Sequence, residues 1–199
     1  MKLLLFSDVH CSAEHCNELV RKSASADMVI GAGDFGIIRE GLATTIKMLQ
    51  PIKKPTILVP GNSESREELE NACRNWESAY VLHGSGIELL GNQFYGVGGG
   101  IPVTPFGDWS YDFNEEEARQ LLLNCPPSCV LVTHSPPKGA VDVSSSGQRF
   151  GSQAILEAIM EKKPLLCVCG HIHESSGRSE MIGETSVVNA GPDGIFWEI

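Results

Sequence analysis

Five short apolar runs in this 199-residue chain each lead into a side chain able to bind a metal ion. Residues 2–7 (KLLLFS) precede Asp8-Val9-His10, 27–31 (DMVIG) precede Gly33-Asp34, and 56–60 (TILVP) precede Gly61-Asn62. Residues 129–133 (CVLVT) meet His134, and 165–169 (LLCVC) meet Gly170-His171-Ile172-His173. Runs this short and this apolar read as buried strands. Between the first three lie helix-like stretches: Ser12 to Ser25, then 37–49 with Ile38, Leu42, Ile46 and Leu49, then an acidic 64–75. The β-α-β-α-β order calls for parallel strands joined by right-handed crossovers. Ligands of such sheets collect at the carboxyl ends of the strands, so the five loops are expected to converge on one crevice. Glycines before Asp34, Asn62 and His171 are expected to let the backbone turn sharply there.

The middle of the chain reads differently. Residues 79–98 hold three short strand-like pieces punctuated by Gly84, Gly86, Gly91 and Gly96, the pattern of a small antiparallel meander. A Gly/Pro/aromatic loop follows over 98–113, and Asn114 with Glu117 makes a capping-box entry to a helix. Ser152 caps a helix over 152–162, and strands at 165–169, 178–182, 185–189 and 194–198 close the chain, the last ones antiparallel. Without repeats, low-complexity tracts or a linker, residues 1–199 are expected to form a single α/β domain, two sheets packed face to face with helices outside.

Composition narrows the function. A formal charge of −10 counts against a partner held by its phosphate backbone, and so against nucleic acid. The N-terminal apolar run, Leu3 to Phe6, is too short for a signal peptide or a membrane span. Seven cysteines without a second CxxC read as buried thiols of a reducing compartment, with Cys167 and Cys169 on one strand face. The expected setting is cytoplasmic.

Two carboxylates, one amide oxygen and four imidazoles suit divalent transition ions: Mn, Fe, Co, Ni or Zn. Seven protein donors exceed the needs of one ion. They suit two if Asp34 bridges, and two ions about 3.5–4 Å apart can clamp the attacking and leaving oxygens of a phosphoryl group. Taken singly, Asp34 and Asn62 are ordinary turn residues, His83 a structural hydrogen-bonder and His15 a surface or packing residue. The case rests on the set.

The set, DxH, GD, GN, a strand-end His and GHxH in that order over residues 8–173, resembles the motifs of calcineurin-like metallophosphoesterases. The tail 171–191 is similar to the small, capless bacterial and archaeal members. The resemblance implies a four-layer α/β/β/α fold and a dinuclear metal centre. One ion would take Asp8, His10, Asp34 and His173, and the other Asp34, Asn62, His134 and His171. A water or hydroxide bridging the ions would be the nucleophile attacking a small phosphomonoester or phosphodiester, with Asp34, Asn62 and His134 acting through the metals and the substrate phosphate. Members of the family usually carry Gly-Asn-His-Asp/Glu at the third motif, whose His protonates the leaving group. Here the residues are Gly61-Asn62-Ser63-Glu64, and a serine is too weak an acid for that role. His15 or Glu64 could take the role, or the ester must have a good leaving group. The departure also keeps open a metal-bearing scaffold with little turnover. The aromatics Phe106, Trp109, Tyr111 and Phe113 form either a buried flap or dimer contact, or a wall for a flat substrate group; a homo-oligomer stays open.

Overall fold

The computed structural model describes residues 1–199. In chain order the strands are β1 (Lys2–Phe6), β2 (Met28–Gly31), β3 (Thr56–Leu58), β4 (Ala79–Val81), β5 (Ser85–Leu89), β6 (Asn92–Val97), β7 (Val130–Thr133), β8 (Leu166–Cys169), β9 (Ser179–Ile182), β10 (Thr185–Asn189) and β11 (Ile195–Glu198). The helices are α1 (Ala13–Ser23), α2 (Leu42–Leu49), α3 (Arg66–Cys73), α4 (Glu115–Leu122) and α5 (Gln153–Lys162). One sheet runs β11-β1-β2-β3-β4 and the other β5-β6-β7-β8-β10-β9. Both are mixed: β1 to β4 pair in parallel with β11 antiparallel at the edge, and β6, β7, β8 and β10 pair in parallel between two antiparallel edges.

Side-chain alternation along the strands builds the layers. On β1, Leu3 and Leu5 point between the sheets, where they meet Ile30, Ile57, Phe94, Val132 and Val168. Leu4 and Phe6 point outward, under Leu19 of α1, Ile46 of α2 and Leu69 of α3. On the second sheet Tyr95, Leu131 and Cys167 face Ala118 and Leu122 of α4 and Ile155 and Ile159 of α5. The order of layers is helix, sheet, sheet, helix. A strand buried on both faces has no polar alternation, which is why the runs read as continuous apolar segments.

Three expectations need correction. The segment 79–98 is no meander: β4 joins the first sheet, parallel to β3, while β5 and β6 form a hairpin in the second. Pairing partners are chosen by the packed sheets rather than by nearness in sequence, and the turn at His83–Gly84 carries the chain across. The helix expected over 37–49 begins only at Leu42, with Gly41 in the left-handed region at φ 77° as its cap residue. Residues 37–40 instead make a tight turn in which Ile37 and Glu40 exchange backbone hydrogen bonds of 2.9 and 2.8 Å. Ile38 and Arg39 there have φ of 46° and 67°. The helix expected from residue 64 starts at Arg66, because Ser65 and Glu68 close a capping box and release Glu64 inward.

A β-branched residue at positive φ is strained, and Ile38 is 54% exposed, so its side chain returns little burial. Ile38→Asn, a residue that tolerates this conformation, should raise stability by about 0.5–1 kcal/mol. Thermal melts should read this as a rise of roughly 1–4 °C; a fall would mean that the side chain makes stabilising contacts that outweigh the strain.

Candidate metal centre

All five loops leave strands at the same end of the two sheets, and hydrogen bonds stitch them to one another. Asp8 N–H donates to Gly33 O at 2.9 Å, and His10 N–H to Asp34 O at 3.1 Å, binding the loop after β1 to the loop after β2. His171 N–H donates to both carboxylate oxygens of Asp8 at 3.1 and 3.2 Å, bringing in the loop after β8. Ser63 N–H donates to Asp34 Oδ1 at 2.9 Å, bringing in the loop after β3. His134 follows β7 and donates from Nδ1 to Ala32 O at 2.8 Å.

The sharp turns fall on the candidate ligands themselves. Asp8, His10, Asp34 and His171 have φ of 54°, 41°, 57° and 66°. Such backbone costs on the order of 1–3 kcal/mol per residue and persists only where surroundings over-determine it, typically at functional sites. Of the three glycines expected to turn the chain, Gly33 does so at φ 92°, whereas Gly61 and Gly170 lie outside the left-handed region and supply space, since a Cβ would run into Asp34 at Gly61 and into Asp8 at Gly170.

The donors converge. His10 Nε2 lies 3.2 Å from His173 Nε2 and 3.7 Å from Asp34 Oδ2. His173 Nε2 is also 3.7 Å from Asp8 Oδ1. On the other side His134 Nε2 is 3.5 Å from Asp34 Oδ1 and 3.2 Å from Asn62 Oδ1. The His171 ring packs edge-on against His134, centroids 4.9 Å apart. Donor atoms of Asp8, His10 and His173 lie within 4.8 Å of one another, and so do those of Asp8, Asp34 and His134.

The protonation pattern suits a cation. A carbonyl can only accept, so His134 Nδ1, on Ala32 O, and His10 Nδ1, 3.0 Å from Gly36 O, carry the ring protons. In the neutral rings Nε2 is then a bare lone pair on both. A backbone carbonyl fixing the tautomer in this way is the usual support of a metal-binding imidazole. Acceptors therefore face acceptors: Nε2 of His134 against Oδ1 of Asn62, and Nε2 of His10 against a carboxylate oxygen of Asp34. Positive charge must sit among them, as protons or as metal ions.

The titration shifts say the same. Burial pushes the His134 pKa down, yet the charges of Asp34 and Asp8 outweigh it and leave the pKa raised. Burial pushes Asp8 up, but hydrogen bonding to His173 and the charge of His134 pull it down to about 2. His171 is lowered to about 4 by burial and by His134. The site holds the Asp8 carboxylate ionised and draws positive charge toward His134. Divalent transition ions fit this donor set.

Ser63 sits 3% exposed beside Asp34, its backbone also accepting Arg39 N–H at 3.0 Å. Glu64, named from the sequence as a substitute acid, is fully buried and aimed away from that duty. Its carboxylate accepts N–H groups from Asp34 at 2.8 Å, Gly36 at 3.0 Å and Gly61 at 2.7 Å, with Phe35 at 3.3 Å. Burial, and next the charge of Asp34, raise its pKa to about 7 against the pull of those N–H groups. It is a clasp between the loops after β2 and β3. The sequence shows an acid two residues beyond Asn62; the fold gives it these N–H partners. His15 is turned to Asp193, 3.4 Å away. His83 accepts Gly98 N–H at 3.1 Å and packs against Tyr111 and Phe113. In the same loop Phe106 stacks on Trp109 and stays 50% exposed. Asn189, which the sequence reading passed over, donates at 3.0 Å to Gly170 O and Ile172 O and so holds the GHIH turn.

Residues 1–195 match the calcineurin-like phosphoesterase superfamily domain. An uncharacterized protein of Methanocaldococcus jannaschii is 29% identical over 180 residues, 86% of this chain and 80% of that protein. A UPF0046 protein of Caenorhabditis elegans is 37% identical over 105 residues, which make up 50% of this chain but 25% of that one. The chain thus spans about a quarter of the worm relative's length. Among solved structures, a protein of Thermus thermophilus superposes with a TM-score of 0.77 at 21% identity, covering 96% of this chain and 90% of that one. A dimetal phosphatase from Danio rerio gives 0.64 at 13% identity, covering 95% and 86%. At these identities the likeness is one of fold.

Removing the clasp should be severe. Glu64→Ala leaves several buried N–H groups without an acceptor, each costing about 1–3 kcal/mol. The variant should lose at least about 3 kcal/mol, a fall of roughly 6–12 °C in Tm. A melt within a degree or so of wild type would show that water replaces the carboxylate freely.

Proposed function

The chain belongs to the calcineurin-like phosphoesterase superfamily, and from that premise we propose that it hydrolyses small phosphomonoesters or phosphodiesters at a centre of two divalent metal ions. The observation that carries this reading is the position of Asp34. Its Oδ2 faces His10, which groups with Asp8 and His173, while its Oδ1 faces His134, beside which Asn62 and His171 lie. One carboxylate with an oxygen toward each of two donor groups suits a bridge between two ions. Asp8, His10, Asp34 and His173 would hold one ion, and Asp34, Asn62, His134 and His171 the other. When bound, the two ions supply Lewis acidity at the phosphate and a water activated for attack on phosphorus.

The chain's own side chains set the rest. His10 and His134 present Nε2 because carbonyl groups hold their Nδ1 protons. Ser63 stands in the sequence at the position of the family's imidazole acid, and on this reading neither Glu64, sealed by backbone N–H groups, nor His15, on Asp193, takes over the protonation of the leaving oxygen. The leaving group departs unprotonated or takes its proton from water. Esters with acidic leaving groups are therefore the favoured substrates. The same serine supports the second reading, a metal-bearing scaffold with little turnover.

An assay panel with added Mn²⁺ separates the two. Hydrolysis of bis-p-nitrophenyl phosphate or p-nitrophenyl phosphate supports the enzyme, and no turnover of either, or of cyclic nucleotides, supports the scaffold. Across a graded series of leaving groups the rate should fall steeply as leaving-group pKa rises. Ser63→His should flatten that slope by raising alkyl-ester turnover up to about 10²-fold, the lower end of general-acid catalysis. A shallow wild-type slope that the substitution leaves alone would show that another proton donor serves the site.

A further inference from the structure

Asn62 is the one amide among the candidate donors, and its oxygen and nitrogen ends are nearly alike in shape. The amide could rotate by half a turn with little change of shape, pointing Nδ2 at His134 Nε2 and making a good hydrogen bond to that lone pair. That orientation would put an N–H₂ group where an ion needs an oxygen. The loop between β6 and α4 opposes it. Asn62 Nδ2 donates to Ser110 Oγ at 3.1 Å. Ser110 Oγ has its own proton committed to Asp112 Oδ1 at 2.8 Å, so toward Asn62 it offers only lone pairs. The Asp112 carboxylate is fixed in turn by Thr104, which donates its backbone N–H at 2.8 Å and its hydroxyl at 2.6 Å to Oδ2. Rotating Asn62 would set its oxygen against an acceptor that has no proton to give.

The loop is anchored on both sides of the cage. Tyr111 N–H donates to Asn62 O at 2.9 Å, Gly99 N–H to Pro60 O at 3.0 Å, and Ile101 N–H to the Oγ of Ser135, next to His134, at 2.8 Å. Gly100 pairs with Asp112, and a Cβ at Gly100 would collide with the Asp112 carboxylate.

We propose that Asp112 and Ser110 are positioning residues that fix the Asn62 amide with Oδ1 toward the metal centre, so that the β6–α4 loop sets the affinity of one of the two ions. The inference rests on the reading of Asn62 as a metal donor. Asp112 acts as the polarising end of a relay: its charge orders the Ser110 hydroxyl, and the hydroxyl orders the amide. Partners of this kind behind a ligand typically contribute about 10–100-fold in metal affinity.

Full-length protein stripped by chelator and titrated calorimetrically with Mn²⁺ tests this, using wild type, Ser110→Ala, Ser110→Thr and Asp112→Asn. Wild type should bind two ions. Ser110→Ala and Asp112→Asn should weaken one of them by about tenfold and leave the other unchanged, whereas Ser110→Thr, which keeps the hydroxyl, should bind like wild type. If Ser110→Ala does not fold, Asp112→Asn carries the same expectation. Ser110→Ala binding both ions as tightly as wild type would overturn the proposal. So would equal weakening of both ions, or failure of Ser110→Thr to restore binding, since either marks general loosening of the loop. A wild type that binds two ions but hydrolyses no ester would overturn the proposed function and leave this inference standing.

Discussion

A buried carboxylate, Glu64, ties together the two loops on which the rest of the site is built. By accepting N–H groups from Asp34 and Gly36 on one side and Gly61 on the other, it closes the gap between the ends of β2 and β3. Asp34 is thereby held in left-handed backbone with Ser63 N–H on its Oδ1. The loops after β1 and β8 then lean on that frame, His10 through the carbonyl of Asp34 and His171 through the carboxylate of Asp8. Parallel strands bring the loops to one end; the clasp sets the separation at which their side chains meet.

What meets there is unfavourable by itself. Two carboxylates and several imidazole lone pairs are gathered in a largely buried place, on backbone that four candidate ligands hold at positive φ. Like acceptors crowded in low dielectric repel, and strained backbone adds a cost of its own. The packed sheets supply the stability that tolerates this, with Leu3, Leu5, Ile30 and Val132 among the side chains sealed between them. Such an arrangement favours positive charge among its acceptors, and against the effect of burial the charges of Asp34 and Asp8 raise the His134 pKa.

The candidate donors were legible in the sequence because each stands just after a strand, and strand ends are the part of an α/β chain that apolar runs mark best. The side chains of Asp8, His10, Asp34, His134 and His173 gather at the strand ends, with Asn62 and His171 beside His134. The four layers were legible for the same reason. The placement of β4 was not, because a three-residue strand carries no mark of which sheet will pair with it. Residues 37–41 looked helical by apolar spacing, yet Ile37 and Ile38 face solvent in a turn, a choice made by the loops packed around them. The role of Glu64 as a clasp was not legible, because the sequence does not show which N–H groups the folded loops turn toward its carboxylate. The chain from Asp112 through Ser110 to Asn62 joins residues far apart in sequence, so only the folded loop reveals it.

Asp34 is proposed to stand between two cations. Crystals grown with Mn²⁺ and measured for anomalous scattering test it most directly. Two peaks roughly 3.5–4 Å apart are expected, one on either side of the Asp34 carboxylate. A single peak, or two peaks of which either lies out of reach of Asp34, would contradict it.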